Sequence, residues 1–204
     1  MRVIGGRLGG RRLKGVSRKK IRPTSDRVKT AIFNILPRDL SGARVLDLFA
    51  GSGSLGIEAL SRGAKQAVFV DQSRESFRLI KDNLRELGLL KQGRLLNKRA
   101  GPGMKELASE QARFDLVFMD PPYNGALADK TLALLESSDV LESAGIVVVE
   151  HGRDEKIVKA YHGLLLKDQR RYGDTMVSFF ETTEKKAEKD MNSEKDVEGG
   201  QEVV

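Results

Sequence analysis

The chain has 204 residues, a net charge of +7 and no cysteine. This length suffices for one full-sized hydrophobic core, so we expect one α/β domain and a tail rather than two large domains. The lack of cysteine excludes disulfides, thiolate zinc sites and a cysteine nucleophile. No apolar run approaches the roughly 20 residues that cross a bilayer, and no signal-type segment follows Met1. We therefore expect a soluble, cytoplasmic protein.

The positive charge is concentrated at the start of the chain. Residues 1–38 contain 12 Lys or Arg against one acid, Asp26, which gives a local net charge of +11 and leaves −4 for the rest. Such an asymmetry favours a partner that carries phosphates, because each neutralised phosphate releases counterions. A solvated basic arm is the alternative. We therefore divide the chain into a basic N-terminal extension (1–40) that suits RNA, an α/β domain (41–182) and a disordered charged tail (183–204).

The N-terminal extension contains two kinds of predicted structure. RVIGG and RRLKG predict two short strands or an extended arm, joined by a turn around Gly9 and Gly10. In RPTSDRVKTAIFNIL, Pro23, with Thr24 or Ser25, is typical of a helix start, and the apolar residues that follow recur at helical spacing. Pro37 ends this helix.

From residue 44, apolar runs alternate with amphipathic segments. The pairs are RVLDLF and SLGIEALSR; AVFVD and RESFRLIKDNLREL; RLLNK and PGMKELASE; FDLVFMD and ALADKTLALLESS; GIVVVE and DEKIVKAY. Five such pairs predict a doubly wound, mostly parallel sheet with helices on both faces. LLLKDQRRYGDTMVSFFE then predicts an antiparallel hairpin around a tight YGD turn.

A glycine-rich loop follows the first of these strands. In DLFAGSGSLG, Gly51, Gly53 and Gly56 match G-x-G-x-x-G between a strand and a helix, and Asp71 ends the next strand. This pattern predicts an adenosine-containing cofactor, with a purely structural glycine turn as the alternative. Asp47, four residues before Gly51, would repel a pyrophosphate but suits the ammonium and sulfonium groups of S-adenosyl-L-methionine. A helix or loop cap is the alternative role for Asp47.

The fourth strand ends in LVFMDPPYNG. Asp120 therefore reaches the same carboxyl edge of the sheet as the glycine loop. Pro121 and Pro122 leave the sheet and keep their carbonyls free as acceptors, while Tyr123 offers a flat face on which a base can stack. A carboxylate and a carbonyl together can accept the two hydrogens of an exocyclic amine and so point its nitrogen lone pair at the methyl group. We therefore expect methylation of such an amine to depend on orientation and electrostatics, and to require no metal.

Taken together, the sequence resembles class I S-adenosylmethionine-dependent methyltransferases, and more closely the RsmD family of 16S rRNA guanine-N2 methyltransferases. The resemblance extends from MRVIGG to about Phe180 and is strongest in RPTSDRVKTAIFNIL, LDLFAGSGSLGIEALSRGA, FMDPPY, VVVEHG and RRYGDT. It implies a Rossmann-like seven-stranded sheet with a hairpin of strands 6 and 7. It also implies a 16S rRNA substrate, within an assembly intermediate of the small ribosomal subunit, and we expect a monomer.

The same resemblance implies the following site. The catalytic loop is Asp120, Pro121, Pro122 and Tyr123; the cofactor is held by Asp47, Phe49, Ala50, Gly51, Ser52, Gly53, Asp71, Gln72, Arg99 and Ala100; RNA contacts Arg11, Arg12, Arg22, Thr24 and Arg27. Arg99 stands where such proteins usually have an acid that binds the adenine amine. Because arginine cannot accept that bond, either cofactor affinity is lower or a backbone carbonyl substitutes.

Two other functions are compatible with these motifs. Acid-Pro-Pro-aromatic loops serve exocyclic amines generally, so one rival is adenine-N6 methylation of DNA or RNA. The other rival is a non-catalytic RNA-binding assembly factor that kept the fold, which Arg99 makes conceivable. Asp-Pro-Pro-Tyr and the RPT segment favour the rRNA family over the first rival, whereas calorimetry with S-adenosyl-L-methionine would separate the second.

Overall fold

A computed structural model describes residues 1–15, 26–122, 126–161 and 163–183. Its helices are α1 (Asp26–Ile35), α2 (Ser54–Ser61), α3 (Arg74–Glu86), α4 (Ala100–Ser109) and α5 (Leu127–Ser137). Its strands are β1 (Arg44–Leu48), β2 (Gln66–Val70), β3 (Gly93–Leu96), β4 (Phe114–Met119), β5 (Leu141–Gly152), β6 (Leu164–Tyr172) and β7 (Thr175–Thr182). Within these described ranges, no helix is long and apolar enough to cross a membrane.

The seven strands form one sheet in the order β3-β2-β1-β4-β5-β7-β6. β1 to β5 pair in parallel, whereas β7 runs antiparallel between β5 and β6. The strand order reverses at β1 and β4, and in open α/β sheets ligands bind at the carboxyl ends of the strands beside such a reversal. The predicted Rossmann-like sheet and its hairpin of strands 6 and 7 are confirmed.

Alternating side chains of the strands build two apolar layers, one on each face of the sheet. Val45, Phe69, Phe118 and Val148 point to the layer that α1, α2 and α3 cover. Their neighbours along the strands point to the layer that α4 and α5 cover. Because both faces are covered, the parallel strands have near-continuous apolar runs instead of polar alternation.

Residues 1–15, here called the N-terminal arm, pack on α2 and α3. Backbone hydrogen bonds join Val3 to Arg11 and Leu13 to Met1, so the predicted pair of extended segments is present, with a short 3₁₀ turn at Gly6–Leu8 between them. Val3 and Leu13 are buried in the same layer as α1. The division of the chain at residue 40 stays a prediction.

Residues 154–161 do not form the fifth crossover helix that the sequence predicted. The backbone groups of this segment bind elsewhere: the Val158 N–H donates to Asp129 Oδ1 at 3.0 Å, and the Lys159 carbonyl accepts from the Leu166 N–H at 2.9 Å. Because β7 pairs with β5 as far as Gly152, β5 extends to this residue and fewer residues remain for a helix before β6. The helical spacing of apolar residues in this segment was therefore a misleading signal.

Two further predictions fall outside the described residues. They are the helix start at Pro23, Thr24 and Ser25, and nearly all of the charged tail from residue 184 onward. From Asp26 onward α1 is helical as expected, and it ends at Ile35, two residues before Pro37.

Candidate active site

Three acidic residues lie at the carboxyl ends of adjacent strands and on one face of the sheet. Asp47 pairs in register with Phe69 on β2 and with Phe118 on β4. Asp71 and Asp120 come two residues after these phenylalanines, and side chains two apart on a strand share a face. The sheet therefore brings together Asp47, Asp71 and Asp120, which the sequence had assigned to one site.

The glycine loop, residues 49–53, turns the chain from β1 into α2 through left-handed backbone conformations. Phe49 has φ 60°, which is uncommon for a bulky residue and marks local strain beside the site. Gly53 has φ 77°, and its N–H donates to the Ala50 carbonyl at 2.7 Å. A Cβ at Gly53 would lie 3.2 Å from Ile80, so glycine is favoured there by conformation and by space.

Asp47 is buried against the first turn of α2. Its Oδ2 accepts a hydrogen bond from the Gly56 N–H at 2.9 Å, and a Cβ at Gly56 would lie 2.4 Å from the Phe69 ring. Gly56 thus permits the close approach of α2 to β1 and β2. Burial raises the pKa of Asp47 to about 8; the Gly56 hydrogen bond opposes this rise, and the nearby Asp71 carboxylate adds to it.

Asp71 joins the end of β2 to the glycine loop. Its Oδ2 accepts from the Gly51 N–H at 2.9 Å, and its Oδ1 accepts from the Ser73 N–H at 2.8 Å. The Asp71 carbonyl also accepts from Asn97 Nδ2 at 2.9 Å, which ties in the segment after β3. The carboxylate is consequently fixed in orientation at the mouth of the loop.

These groups fit S-adenosyl-L-methionine. A carboxyl group buried beside α2 suits the cationic methionine moiety, and a fixed acid on the second strand suits the ribose hydroxyls. A pyrophosphate would gain no attraction from the buried Asp47 carboxyl group and would be repelled by it once ionised, which disfavours a dinucleotide. Asp47, Asp71 and the backbone of the glycine loop are the described groups that can hold the cofactor.

Asp120 leaves β4 directly beside β1. Its N–H is 3.5 Å from the Leu48 carbonyl, which extends the ladder by a long hydrogen bond. Pro121 is buried and Pro122 is exposed, so the chain turns away from the sheet at this point. Tyr123, the residue predicted to stack on the base, lies outside the described residues.

Three other residues predicted to bind the cofactor lie after β2 or at the start of α4, and they are Gln72, Arg99 and Ala100. Gln72 is exposed next to Asp71. Arg99 is exposed and precedes α4, where its carbonyl accepts from the Gly103 N–H at 2.9 Å, and Ala100 is the first residue of α4. The Arg99 side chain does not cap α4, and its place beside the adenine stays a prediction.

Among the residues predicted to contact RNA, Arg11, Arg12 and Arg27 are exposed. Arg11 Nη2 donates to the Glu86 carbonyl at 3.2 Å, which holds this side chain near the end of α3. Arg22 and Thr24 lie outside the described residues.

Sequence reasoning missed Glu150 as a candidate site residue. Val148 pairs in register with Phe118, so Glu150 lies at the level of Asp120 and on the same face, and it is only 6% exposed. The signal was available, because VVVE ends an apolar run with an acid as FMD does. The next residue, His151, is buried with Nε2 2.9 Å from Ser178 Oγ, and burial lowers its pKa.

Comparison with known proteins identifies the family. The family model described as "Conserved hypothetical protein 95" matches residues 1–181. The chain belongs to this family. It is 40% identical over 153 residues to the Escherichia coli K12 protein named "Ribosomal RNA small subunit methyltransferase D", covering 74% of each chain. These findings confirm the resemblance to the RsmD family of methyltransferases that the motifs indicated.

Solved structures confirm the fold. A Thermus thermophilus protein is 32% identical and superimposes with a TM-score of 0.73, covering 88% of this chain and 98% of that one. SMU.776, solved in complex with S-adenosylhomocysteine, is 14% identical with a TM-score of 0.63 over 76% of this chain and 48% of that one. At that identity the second likeness concerns the fold alone, which is the Rossmann-like fold of class I methyltransferases.

Proposed function

We propose that this protein methylates the exocyclic N2 amine of a guanine in 16S rRNA, with S-adenosyl-L-methionine as the methyl donor. The observation that carries the proposal is the position of Asp120-Pro121-Pro122. This segment follows β4 at the strand reversal, directly beside the glycine loop that follows β1. Membership in the family of the E. coli small-subunit rRNA methyltransferase supports rRNA as the substrate.

The residues of the chain supply binding and orientation. The Asp120 carboxylate and the Pro121 carbonyl accept the two amine hydrogens, and this aims the nitrogen lone pair at the cofactor site. When bound, S-adenosyl-L-methionine supplies an electrophilic methyl group. Asp120 is also placed to take up the proton that the amine loses, directly or through water.

Family membership favours RNA over DNA, and one feature of the site favours guanine over adenine. The basic N-terminal arm offers phosphate contacts, which serve RNA and DNA alike. Asp120 and Glu150 lie level on neighbouring strands, and this pair of carboxylates suits guanine, whose Watson–Crick edge carries N1–H as well as the N2 amine. Adenine presents an acceptor, N1, next to its amine and would meet a carboxylate unfavourably.

Methyl transfer to small ribosomal subunits tests the proposal. Subunits from cells that lack this protein are incubated with the purified protein and labelled S-adenosyl-L-methionine, and the modified nucleoside is mapped by mass spectrometry. We expect N2-methylguanine in 16S rRNA. Label on adenine N6 would support the first rival, and cofactor binding without transfer to any RNA would support a non-catalytic assembly factor.

Asp120→Ala should lower the transfer rate by about 10²–10³-fold, the usual effect of removing one transition-state contact, while calorimetry shows nearly unchanged cofactor binding. Asp154→Ala is the matched control, because it removes an exposed carboxylate after the neighbouring strand β5. Near-normal turnover of Asp120→Ala would contradict the role of Asp120.

A further inference from the structure

Asn83 on α3 joins the N-terminal arm to the glycine loop. It is 1% exposed, and its side chain makes three hydrogen bonds. Oδ1 accepts from the Lys14 N–H at 2.9 Å, while Nδ2 donates to the Lys14 carbonyl at 3.1 Å and to the Ser52 carbonyl at 3.0 Å. One buried amide therefore bridges two segments that are far apart in the sequence.

The chemistry of this bridge requires a side chain with both donors and an acceptor. The two hydrogens of Nδ2 each meet a carbonyl, and Oδ1 meets an N–H, so the amide orientation is fixed by its partners. Aspartate would keep the bond from the Lys14 N–H but has no hydrogen for either carbonyl. Alanine would leave all three backbone groups without this partner.

On the cofactor side, the bridge sets the orientation of one peptide unit in the glycine loop. The Ser52 carbonyl is held by Asn83, and the N–H of the same peptide unit, from Gly53, is held by the Ala50 carbonyl at 2.7 Å. A rotation of this peptide would break both bonds. The loop geometry next to Gly51 and Gly53 thus depends on α3.

On the other side, the bridge holds a strongly basic segment. The arm carries five basic residues and no acid: Arg2, Arg7, Arg11, Arg12 and Lys14. It is fastened to α2 as well, because Ser61 Oγ accepts from the Leu8 N–H at 3.0 Å and donates to the Gly5 carbonyl at 2.6 Å. These bonds of Ser61 join the arm to α2 and do not involve the glycine loop.

We infer that Asn83 is a positioning residue that couples the arm to the glycine loop, so that RNA bound on the arm raises the affinity of the loop for the cofactor. The inference rests on the proposed function, which assigns RNA to the arm and the methyl donor to the loop. RNA that immobilises Lys14 also restrains Asn83 and the Ser52–Gly53 peptide. By linkage, the cofactor raises the affinity for RNA by the same factor.

Calorimetric titration with S-adenosylhomocysteine tests the coupling, with and without a saturating protein-free 16S rRNA transcript. In the wild-type protein the transcript should lower the dissociation constant for S-adenosylhomocysteine about fivefold or more, the usual range for coupled sites. In Asn83→Ala this ratio should fall to nearly one. Ser61→Ala, which loosens the arm on α2 only, should keep the ratio.

Asn83→Asp keeps only the bond from the Lys14 N–H to the side-chain oxygen. It loses the donor for the Ser52 carbonyl and for the Lys14 carbonyl, so we expect the coupling ratio to fall to nearly one in this variant as well. If the ratio persisted in either Asn83 variant, or was lost equally in Ser61→Ala, a specific role for Asn83 would be excluded.

If neither Asn83 variant folds, hydrogen–deuterium exchange of the wild-type protein tests whether RNA on the arm is coupled to the glycine loop. The transcript alone, without cofactor, should slow amide exchange in residues 51–56, and unchanged exchange there would overturn the coupling. A transcript that binds while the affinity for S-adenosylhomocysteine stays constant contradicts only the coupling. If neither the transcript nor small subunits from cells that lack this protein bind, the RNA assignment itself is contradicted.

Discussion

Asp47 carries a buried carboxyl group whose protonation is linked to folding. Burial raises its pKa from 3.8 to about 8. A carboxyl group with a raised pKa in the folded state favours folding fully below its unfolded pKa, and this contribution declines as the pH rises from about 3.8 to about 8. At neutral pH the cofactor-free protein therefore holds Asp47 mainly in the protonated form.

Cofactor binding should consequently release a proton from Asp47. The cationic methionine moiety favours the carboxylate, so the pKa of Asp47 falls on binding and a net release of protons, at most one per protein, should be measured at pH 7. Calorimetry with S-adenosyl-L-methionine in buffers of different ionisation enthalpy measures this number. Asp47→Asn, which cannot ionise, should release none, and equal proton release by both proteins would contradict the position of Asp47 beside the cofactor.

Site residues could be predicted from the sequence where a charged residue interrupts or ends an apolar strand. Asp47, Asp71 and Asp120 interrupt or end apolar strands, and the topology of parallel strands then places such acids at one edge. Lys29, Glu58 and Asn83 were missed because each is one polar residue in a helical stretch that reads as solvent-facing. Their partners lie on the arm, 27 to 69 residues away in the sequence, and no local pattern encodes such contacts.

At the scale of elements, a buried ionic cluster fastens α1, α2 and the arm together. Glu58 on α2 is fully buried and accepts from the Ile4 N–H at 2.7 Å, the Gly5 N–H at 2.8 Å and Arg62 Nε at 2.9 Å. Lys29 on α1 is also fully buried; its Nζ donates to the Arg2 carbonyl at 2.6 Å and lies 3.7 Å from Glu58 Oε2. Burial lowers the pKa of Lys29, and the Glu58 carboxylate opposes this shift.

Glu58→Gln should therefore destabilise the protein by about 3–5 kcal/mol, because it leaves the Lys29 ammonium buried without its counter-charge. Urea unfolding followed by circular dichroism measures the change. Asp82→Asn is the matched control: Asp82 pairs with Arg85 at 2.9 Å on the exposed side of α3, where such a change costs at most about 0.5 kcal/mol. Equal losses in the two variants would show that the cluster adds no stability.

The helices that connect parallel strands could be predicted from the sequence, because their backbone hydrogen bonds lie within each helix. The first four strand–helix pairs follow from apolar periodicity, since each helix lies between two parallel strands and covers the sheet. The connection after β5 differs because β5 and β6 are separated by β7 in the sheet. Its backbone groups bind α5 and β6, so the tertiary partners override the helical spacing of its side chains.

For the whole molecule, the basic arm gives the two faces of the sheet different surfaces. The arm packs against α2 and α3, and it shares an apolar layer with α1. α4 and α5 cover the opposite face. By strand alternation Asp47, Asp71 and Asp120 belong to the face that carries the arm, so RNA bound on the arm, as proposed, would lie on the side of the proposed site.

RNA binding should accordingly depend on the arm more than on basic residues of the opposite face. Arg11→Ala with Arg12→Ala removes two exposed charges, so the slope of log K against log salt should become shallower by about 0.7–0.9 for each phosphate that is no longer neutralised. Fluorescence anisotropy with a 16S rRNA fragment over a series of salt concentrations measures this slope.

Lys105→Ala with Lys130→Ala is the matched control for this pair. Both lysines are exposed and lie on α4 and α5, on the opposite face of the sheet. The two double variants carry the same net charge, so a general electrostatic attraction would weaken binding equally in both. A change of slope confined to the arm variant locates the RNA on the arm, whereas equal slopes would mean that net charge alone draws RNA to the protein.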